Sequence, residues 1–185
     1  AVTIDEALKP GAPAIRDGGN KPAAPPPYKR GDIAAGFAAA DVVVEHTFHT
    51  PCELHNPMEL HGCVAKWDGN RLTIWESTQG VYGVQAGVAR ALNLPLANVR
   101  VIGHYMGGGF GCKINIYGEE YVAAALSKRL GIPLKWVEDR SEAFVATIHG
   151  RDVLGYVDLA AKRDGTVLGL KLRLIADIGA YNMLL

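Results

Sequence analysis

An α+β fold, with mixed, largely antiparallel sheets and packed helices, is predicted by three features of the sequence. Two pairs of alternating apolar segments are each joined by a short turn containing Asp-Gly, at Asp68-Gly69-Asn70 and Asp164-Gly165, which supplies the positive φ a hairpin needs. Two other segments carry apolar or capping residues at helical spacing. Strands and helices alternate along the chain, and the hairpins make at least two strand pairs antiparallel.

Residues 1–40 read as a Pro/Gly-rich linker leading out of a preceding domain. Pro10, Pro13, Pro22, Pro25, Pro26 and Pro27 bias this stretch towards extended conformations, and few large apolar residues accompany them. Within it, the Ala-rich Asp32–Ala40 is compatible with a short helix. The folded body, 41–185, opens with a strand over Val42–Phe48. Strands over Cys63–Trp67 and Arg71–Glu76 form the first hairpin, where Trp67 and Trp75 serve cross-strand packing. Val84, Val88 and Leu92 then recur at helical spacing, and the β-branched Val99–Ile102 follows as a strand. A helix over Tyr117–Leu130 has Glu119 and Glu120 in its first turn, Lys128 and Arg129 in its last, and Gly131 and Pro133 to stop it. Val153, Gly155, Val157 and Leu159 alternate against Leu168, Leu170, Leu172 and Leu174 as the second hairpin. No internal repeat is visible. The chain begins with Ala1 and closes inside the patterned segment Ile178–Leu185, which reads as the cut end of a longer protein.

With 185 residues, 49% hydrophobic and 21% charged, the chain has the composition of a globular domain with its own core. Lysine plus arginine and aspartate plus glutamate both number 19, so no charge excess argues for nucleic acid, an anionic membrane or a strongly acidic ligand. A small neutral or cofactor-shielded substrate is the better match. Cys52, Cys63 and Cys112 form no close pair of the kind that builds zinc or iron–sulfur sites. No apolar run is long enough to cross a bilayer and no leader is evident, so a cytoplasmic location is expected, with the periplasm left open.

The segment Met106-Gly107-Gly108-Gly109-Phe110-Gly111-Cys112-Lys113 lies between a predicted strand and a predicted helix, where missing side chains let backbone N–H groups approach an anion. It is not a Walker A loop, because Cys112 separates Gly111 from Lys113 and Ile114 follows. It is not a dinucleotide fingerprint either, since Cys112 stands where the third glycine is needed. On these residues alone, a ligand cradle and a tight structural turn both remain open.

Five motifs in order decide between them: His55-Asn56-Pro57-Met58-Glu59, Ser77-Thr78-Gln79, Gly107 to Lys113, Glu138-Asp139-Arg140, and Asp177-Ile178-Gly179-Ala180-Tyr181. From about Asp41 onwards the chain resembles the molybdopterin-binding large subunit of the xanthine dehydrogenase, aldehyde oxidase and carbon monoxide dehydrogenase family. The resemblance implies the α+β molybdenum-cofactor-binding domain of that family. It also implies cofactor-binding roles for Gln79, Gly108, Gly109, Phe110 and Gly111, with Gln79 and Phe110 near the metal. The residue types suit this: a neutral amide donates to a metal-bound oxo group without adding charge, and the Phe110 ring can wall a substrate pocket.

The purine-converting members of the family place a glutamate directly after the loop lysine, and here that position is Ile114. Phe110 and Ile114 then suggest a pocket for an aldehyde, an aromatic heterocycle or another poorly charged small substrate, with the carbon monoxide branch left open. The implied reaction is hydroxylation with oxygen from water, the metal making the nucleophile and accepting the electrons. The implied cofactor is a molybdopterin-type molybdenum cofactor, with iron–sulfur clusters and FAD on partner subunits or domains. The remaining part of the large subunit is a further implied partner. The family's base glutamate lies beyond this chain, so no catalytic base is assigned.

Glu59 and Glu138 are tempting carboxylates for that role, but for each an ion-paired or helix-end acid is at least as good a reading. His46, His49, His55 and His61 fall near Cys52 at irregular intervals that match no metal-site spacing, so packing or hydrogen bonding is the simpler role. Cys112 is open to two readings, a thiol activated at a helix start or one buried beside the cofactor. Two competing functions are a phosphate- or nucleotide-binding module using Gly107–Gly111 and a non-catalytic subunit-interface fragment with exposed apolar strands.

Overall fold

A computed structural model describes residues 3–21 and 24–181. Pro22 and the closing Asn182, Met183, Leu184 and Leu185 lie outside the described residues. The chain folds as two compact units, one formed by the segments up to Cys52 and from Arg151 onwards, the other by Glu53–Gly150. This differs from a division into a 1–40 linker and a 41–185 domain. The physical reason is strand pairing, which joins residues before Cys52 to residues after Arg151 in one sheet.

The first unit holds α1 (Ile4–Ala7), α2 (Ile33–Ala38), β1 (Val42–Thr50), β6 (Asp152–Ala161) and β7 (Val167–Asp177). Its sheet has the order β1-β6-β7, antiparallel throughout. The Asp164-Gly165 turn joins β6 to β7 as expected, with Gly165 at φ +90°. Asp32 caps α2 by accepting the Ala35 N–H at 3.0 Å. Leu170, Leu172 and Leu174 are all exposed on β7, so the alternation read from the sequence is real although the face it creates is uncovered in this chain.

The second unit holds β2 (Gly62–Asp68), β3 (Arg71–Glu76), α3 (Val81–Ala91), β4 (Val99–Gly103), α4 (Gly118–Leu130), β5 (Leu134–Val137) and α5 (Arg140–Ala146). The sheet order is β4-β3-β2-β5. β2 pairs antiparallel with both β3 and β5, whereas β3 and β4 are parallel because α3 carries the chain back between them. One face of this sheet supplies Cys63, Ala65, Leu72 and Ile74 to a core completed by Val84, Val88 and Ala89 of α3 and Ala123 and Ala124 of α4. Trp67 packs against that core and donates its indole N–H to the Ala124 carbonyl at 2.9 Å. Helix α4 ends at Gly131 in the left-handed region, φ +70°, as its stop signals predict.

β3 and β4 run side by side with Glu76 opposite Gly103. Their C-terminal ends therefore lie at one edge of the sheet, and both chemically informative segments, Ser77-Thr78-Gln79 and the glycine loop, leave from that edge. Open sheets commonly place ligand sites there.

Candidate functional site

The centre of the site is the glycine loop, residues 107–113. Gly108 and Gly111 have φ of +100° and +105°, which L side chains rarely adopt. Phe110 between them sits at φ +52°, a left-handed conformation that an aromatic residue holds only when its surroundings impose it. Its side chain is 72% exposed, and that of Ile114 stands out at 44%.

Gln79 grips the far end of the loop. Its amide oxygen accepts the Gly111 N–H at 2.9 Å and the Lys113 N–H at 3.3 Å, and its own backbone N–H donates to the Lys113 carbonyl at 2.8 Å. Two donors on the oxygen fix the orientation of the amide, so its NH2 is the half left available. Gly109 packs against this side chain, and a Cβ there would lie 2.6 Å from the Gln79 Cδ. Glycine at 109 is required by that contact.

The segment 55–61 supports the loop from beneath. The Glu59 N–H donates to the Gly107 carbonyl at 3.1 Å, and Glu59 Oε2 accepts the Gly107 N–H at 2.7 Å and the Ser77 hydroxyl at 2.6 Å. Three charged side chains hold the segment in turn. Arg140 donates to Asn56 Oδ1 and the Pro57 carbonyl, both at 2.8 Å. Lys113 donates to the Glu59 carbonyl at 2.8 Å. Glu138 accepts both the His61 N–H at 2.7 Å and His61 Nδ1 at 2.6 Å, in a pair that is almost wholly buried. Burial opposes the charge on Glu59, but the hydrogen bonds from Ser77 and Gly107 and the Lys113 ammonium outweigh it and hold the carboxyl below its usual range.

Four of the five sequence motifs therefore meet in one network. Glu59 pairs with the Lys113 ammonium and Glu138 hydrogen-bonds His61, so each has a structural partner, the plainer of the two readings each allowed. His55 faces the Ile148 carbonyl at 3.2 Å and His61 faces Glu138 and the Cys112 carbonyl, so both serve hydrogen bonding. Cys112 is buried, and burial, only partly offset by Lys113, pushes its thiol up rather than down. Asp177 and Tyr181 belong to the other unit.

Sequence reasoning did not predict β5 or α5, and it gave Lys113 and Arg140 no role beyond membership of their motifs. For α5 a signal was present: Asp139 accepts the Glu142 N–H at 2.8 Å while Glu142 accepts the Asp139 N–H at 2.7 Å, a capping box spelled Asp-x-x-Glu. A second missed feature is Glu76, the third inward position of β3 after Leu72 and Ile74, where the pattern calls for an apolar side chain. It meets Glu120 of α4; burial pushes Glu76 up to about 7, and burial with the Glu76 charge pushes Glu120 up to about 9. The pair retains a proton at neutral pH.

The donor chemistry fits a molybdopterin-type cofactor. The N–H groups of Gly108, Gly109 and Phe110 meet no acceptor among the described residues, and neither does the NH2 of Gln79. Gly109 is buried, and an unmet buried N–H costs about 1–3 kcal/mol. A ligand with oxo, pterin or phosphate acceptors satisfies such a set without adding to the protein's charge. Lys113, by contrast, is wholly enclosed and already bonded, so it cannot act as the phosphate-binding lysine of a nucleotide site. The nucleotide-binding alternative is not favoured.

Residues 17–184 match the molybdopterin cofactor-binding domain. The nicotine 6-hydroxylase large subunit of Paenarthrobacter nicotinovorans is 35% identical over 83% of this chain and 19% of its own length. The carbon monoxide dehydrogenase large chain of Hydrogenophaga pseudoflava is 37% identical over 98% of this chain and 25% of its own length. The crystal structure of quinoline 2-oxidoreductase from Pseudomonas putida 86 superposes with a TM-score of 0.73 at 35% identity, covering 82% of this chain and 20% of that one. The chain thus spans about a fifth to a quarter of the length of these relatives. With a family match along nearly its whole length, and a fold that brings the expected loop and glutamine together, the chain belongs to the molybdopterin cofactor-binding domain family of the molybdenum hydroxylases.

Proposed function

We propose that this chain is the cofactor-cradling part of a molybdenum hydroxylase large subunit that oxidises an aldehyde, an aromatic heterocycle or a related small substrate. The observation that carries the reading is the group of unmet donors at Gly108, Gly109, Phe110 and Gln79, in a loop whose other N–H groups, at residues 107 and 111–113, are already paired. When bound, the molybdenum cofactor supplies oxygen transfer from water and a two-electron sink.

In this reading Gln79 orients an oxygen ligand with its NH2 while its oxygen remains fixed to Gly111. The N–H groups of residues 108–110 bind acceptors of the cofactor, and the exposed Phe110 ring walls the substrate side. Ile114, where the purine-converting branch has glutamate, gives that side an apolar contact with no hydrogen bond to a substrate heteroatom. Relatives named for nicotine and quinoline support a heteroaromatic substrate. Iron–sulfur and flavin subunits or domains would carry electrons away, and the rest of the large subunit would complete the site. Among the described residues no helix is long and apolar enough to cross a membrane.

The test is metal and pterin analysis of the protein from cells able to make molybdenum cofactor, beside a Phe110→Ala/Gln79→Ala double variant. Stoichiometric molybdenum and pterin that fall in the folded variant are expected. Equal loading of both proteins would remove these residues from the cofactor site.

A further inference from the structure

The two ends of the glycine loop converge on one carboxylate oxygen. Glu59 Oε2 accepts the backbone N–H of Gly107 at 2.7 Å and lies 3.1 Å from the ammonium of Lys113. These residues begin and end the loop. We propose that Glu59 and Lys113 form a clasp that sets the loop's opening, making them positioning residues for the cofactor-facing donors of Gln79 and residues 108–110.

Lys113 is built for this task rather than for binding. Its side chain is 0% exposed, so it offers no surface to a ligand. Besides Glu59 Oε2, its ammonium reaches Ser77 Oγ at 2.7 Å, the Glu59 carbonyl at 2.8 Å and the Leu60 carbonyl at 3.4 Å. The three N–H bonds of the ammonium are thereby spoken for. The backbone of the same residue holds Gln79 in both directions and takes the Thr78 hydroxyl at 3.1 Å. One residue thus ties the loop to two other segments, 59–60 and 77–79, reaching 59–60 and Ser77 through its side chain and Thr78 and Gln79 through its main chain.

The enclosed charge of Lys113 is what needs explaining, since Glu59 keeps 39% of its side chain exposed and an apolar side chain in place of a buried ammonium often serves stability as well. What a pair adds is register. The enclosed Lys113 ammonium would be left desolvated and unmatched if Glu59 moved away, which opposes separation or sliding of the loop's two ends. Ser77 takes part in both halves, donating to Glu59 Oε2 at 2.6 Å and accepting from Lys113. The Ser-Thr-Gln segment that follows β3 is thereby referenced to the same point.

This inference rests on the proposed cofactor role, and the experiment separates the two. In the full-length subunit within its complex, Glu59→Gln and the charge-balanced Glu59→Gln/Lys113→Met double variant would be compared with wild type. The readouts are molybdenum content, the line shape of the Mo(V) electron paramagnetic resonance signal, kcat and KM. Expected are folded variants with an altered Mo(V) line shape and kcat lowered on the order of 10- to 100-fold, the effect of misplacing donors by a fraction of an ångström. The double variant should be no worse than the single one, because both break one clasp. Loss of molybdenum from a folded variant would support the proposal equally. Wild-type line shape and kcat in both variants, or failure of the charge-balanced variant to fold, would overturn the clasp alone. A wild-type complex without molybdenum would instead overturn the functional reading and the clasp with it.

Discussion

The side-chain oxygen of Gln79 accepts the backbone N–H of Gly111 at 2.9 Å across 32 residues of sequence. That bond separates two roles within one amide: the oxygen anchors the loop and the NH2 is left for a ligand. Gln79→Glu keeps an oxygen for Gly111 but replaces the NH2 with a second, charged oxygen. The variant is expected to fold with wild-type stability to within about 1 kcal/mol and to lose turnover on the order of 100-fold, as when a preorganised donor is removed. Thermal unfolding measured beside kcat checks both halves.

Gly109→Ala tests the contact from the other side. Its Cβ would sit 2.6 Å from the Gln79 Cδ, so the glutamine must move. Because residue 109 does not need a positive φ, the damage is steric rather than conformational. Molybdenum content should fall with the circular dichroism spectrum unchanged.

The Glu76–Glu120 pair makes stability depend on pH. Both carboxyls are raised from the ordinary 4.5, to about 7 and about 9, so the folded state holds protons that the unfolded chain releases. Their contribution is fully present below about 4.5 and is lost as pH rises through about 7 for Glu76 and about 9 for Glu120. The melting temperature should decline between about pH 5 and about pH 9, and Glu120→Gln, which keeps the hydrogen bonds without the titration, should flatten the decline. A parallel decline in the variant would show that other groups govern it.

The cysteines give an inexpensive check on burial. Cys52 is exposed, whereas burial pushes Cys63 up to about 12 and also raises Cys112. Native protein near neutral pH should be alkylated by iodoacetamide at Cys52, with Cys63 and Cys112 reacting only after denaturation. Peptide mass spectrometry identifies the modified residues. Rapid native labelling of Cys112 would mean that the loop opens.

Local patterns were the legible part of this fold. The hairpins, α3, α4 and the Gly131 stop follow from periodicity and turn chemistry, because those depend on neighbours in sequence. The parallel β3–β4 pair was not legible, since a strand's direction relative to its neighbour is set by the connection through α3 rather than by either strand's composition. β5 is too short at four residues to show a period. The two-unit division was hidden because β1 pairs with a strand more than 100 residues later, at Val42↔Ala161.

At the site, residue types pointed to Gln79 and the glycines, but only through the company of the other motifs. The supporting charges were harder to read. Nothing in the string Gly-Cys-Lys says that Lys113 turns inwards, and a carboxylate such as Glu76 at an inward strand position looks like an error until Glu120 is found beside it. Burial of charge is decided by a partner from a distant segment, and periodicity carries no information about it.

The tethers on the glycine loop also have a kinetic and entropic meaning. A run of glycines loses more backbone freedom on becoming ordered than any other sequence of its length. Here Gln79, Glu59 and Lys113 impose that order within the protein itself, so the loss accompanies folding and little remains for the moment of capture. Amide exchange should reveal the division within a single short segment: protected protons at Gly107, Gly111, Cys112 and Lys113, and fast ones at residues 108 to 110, which become slow only when the acceptors of a bound cofactor arrive.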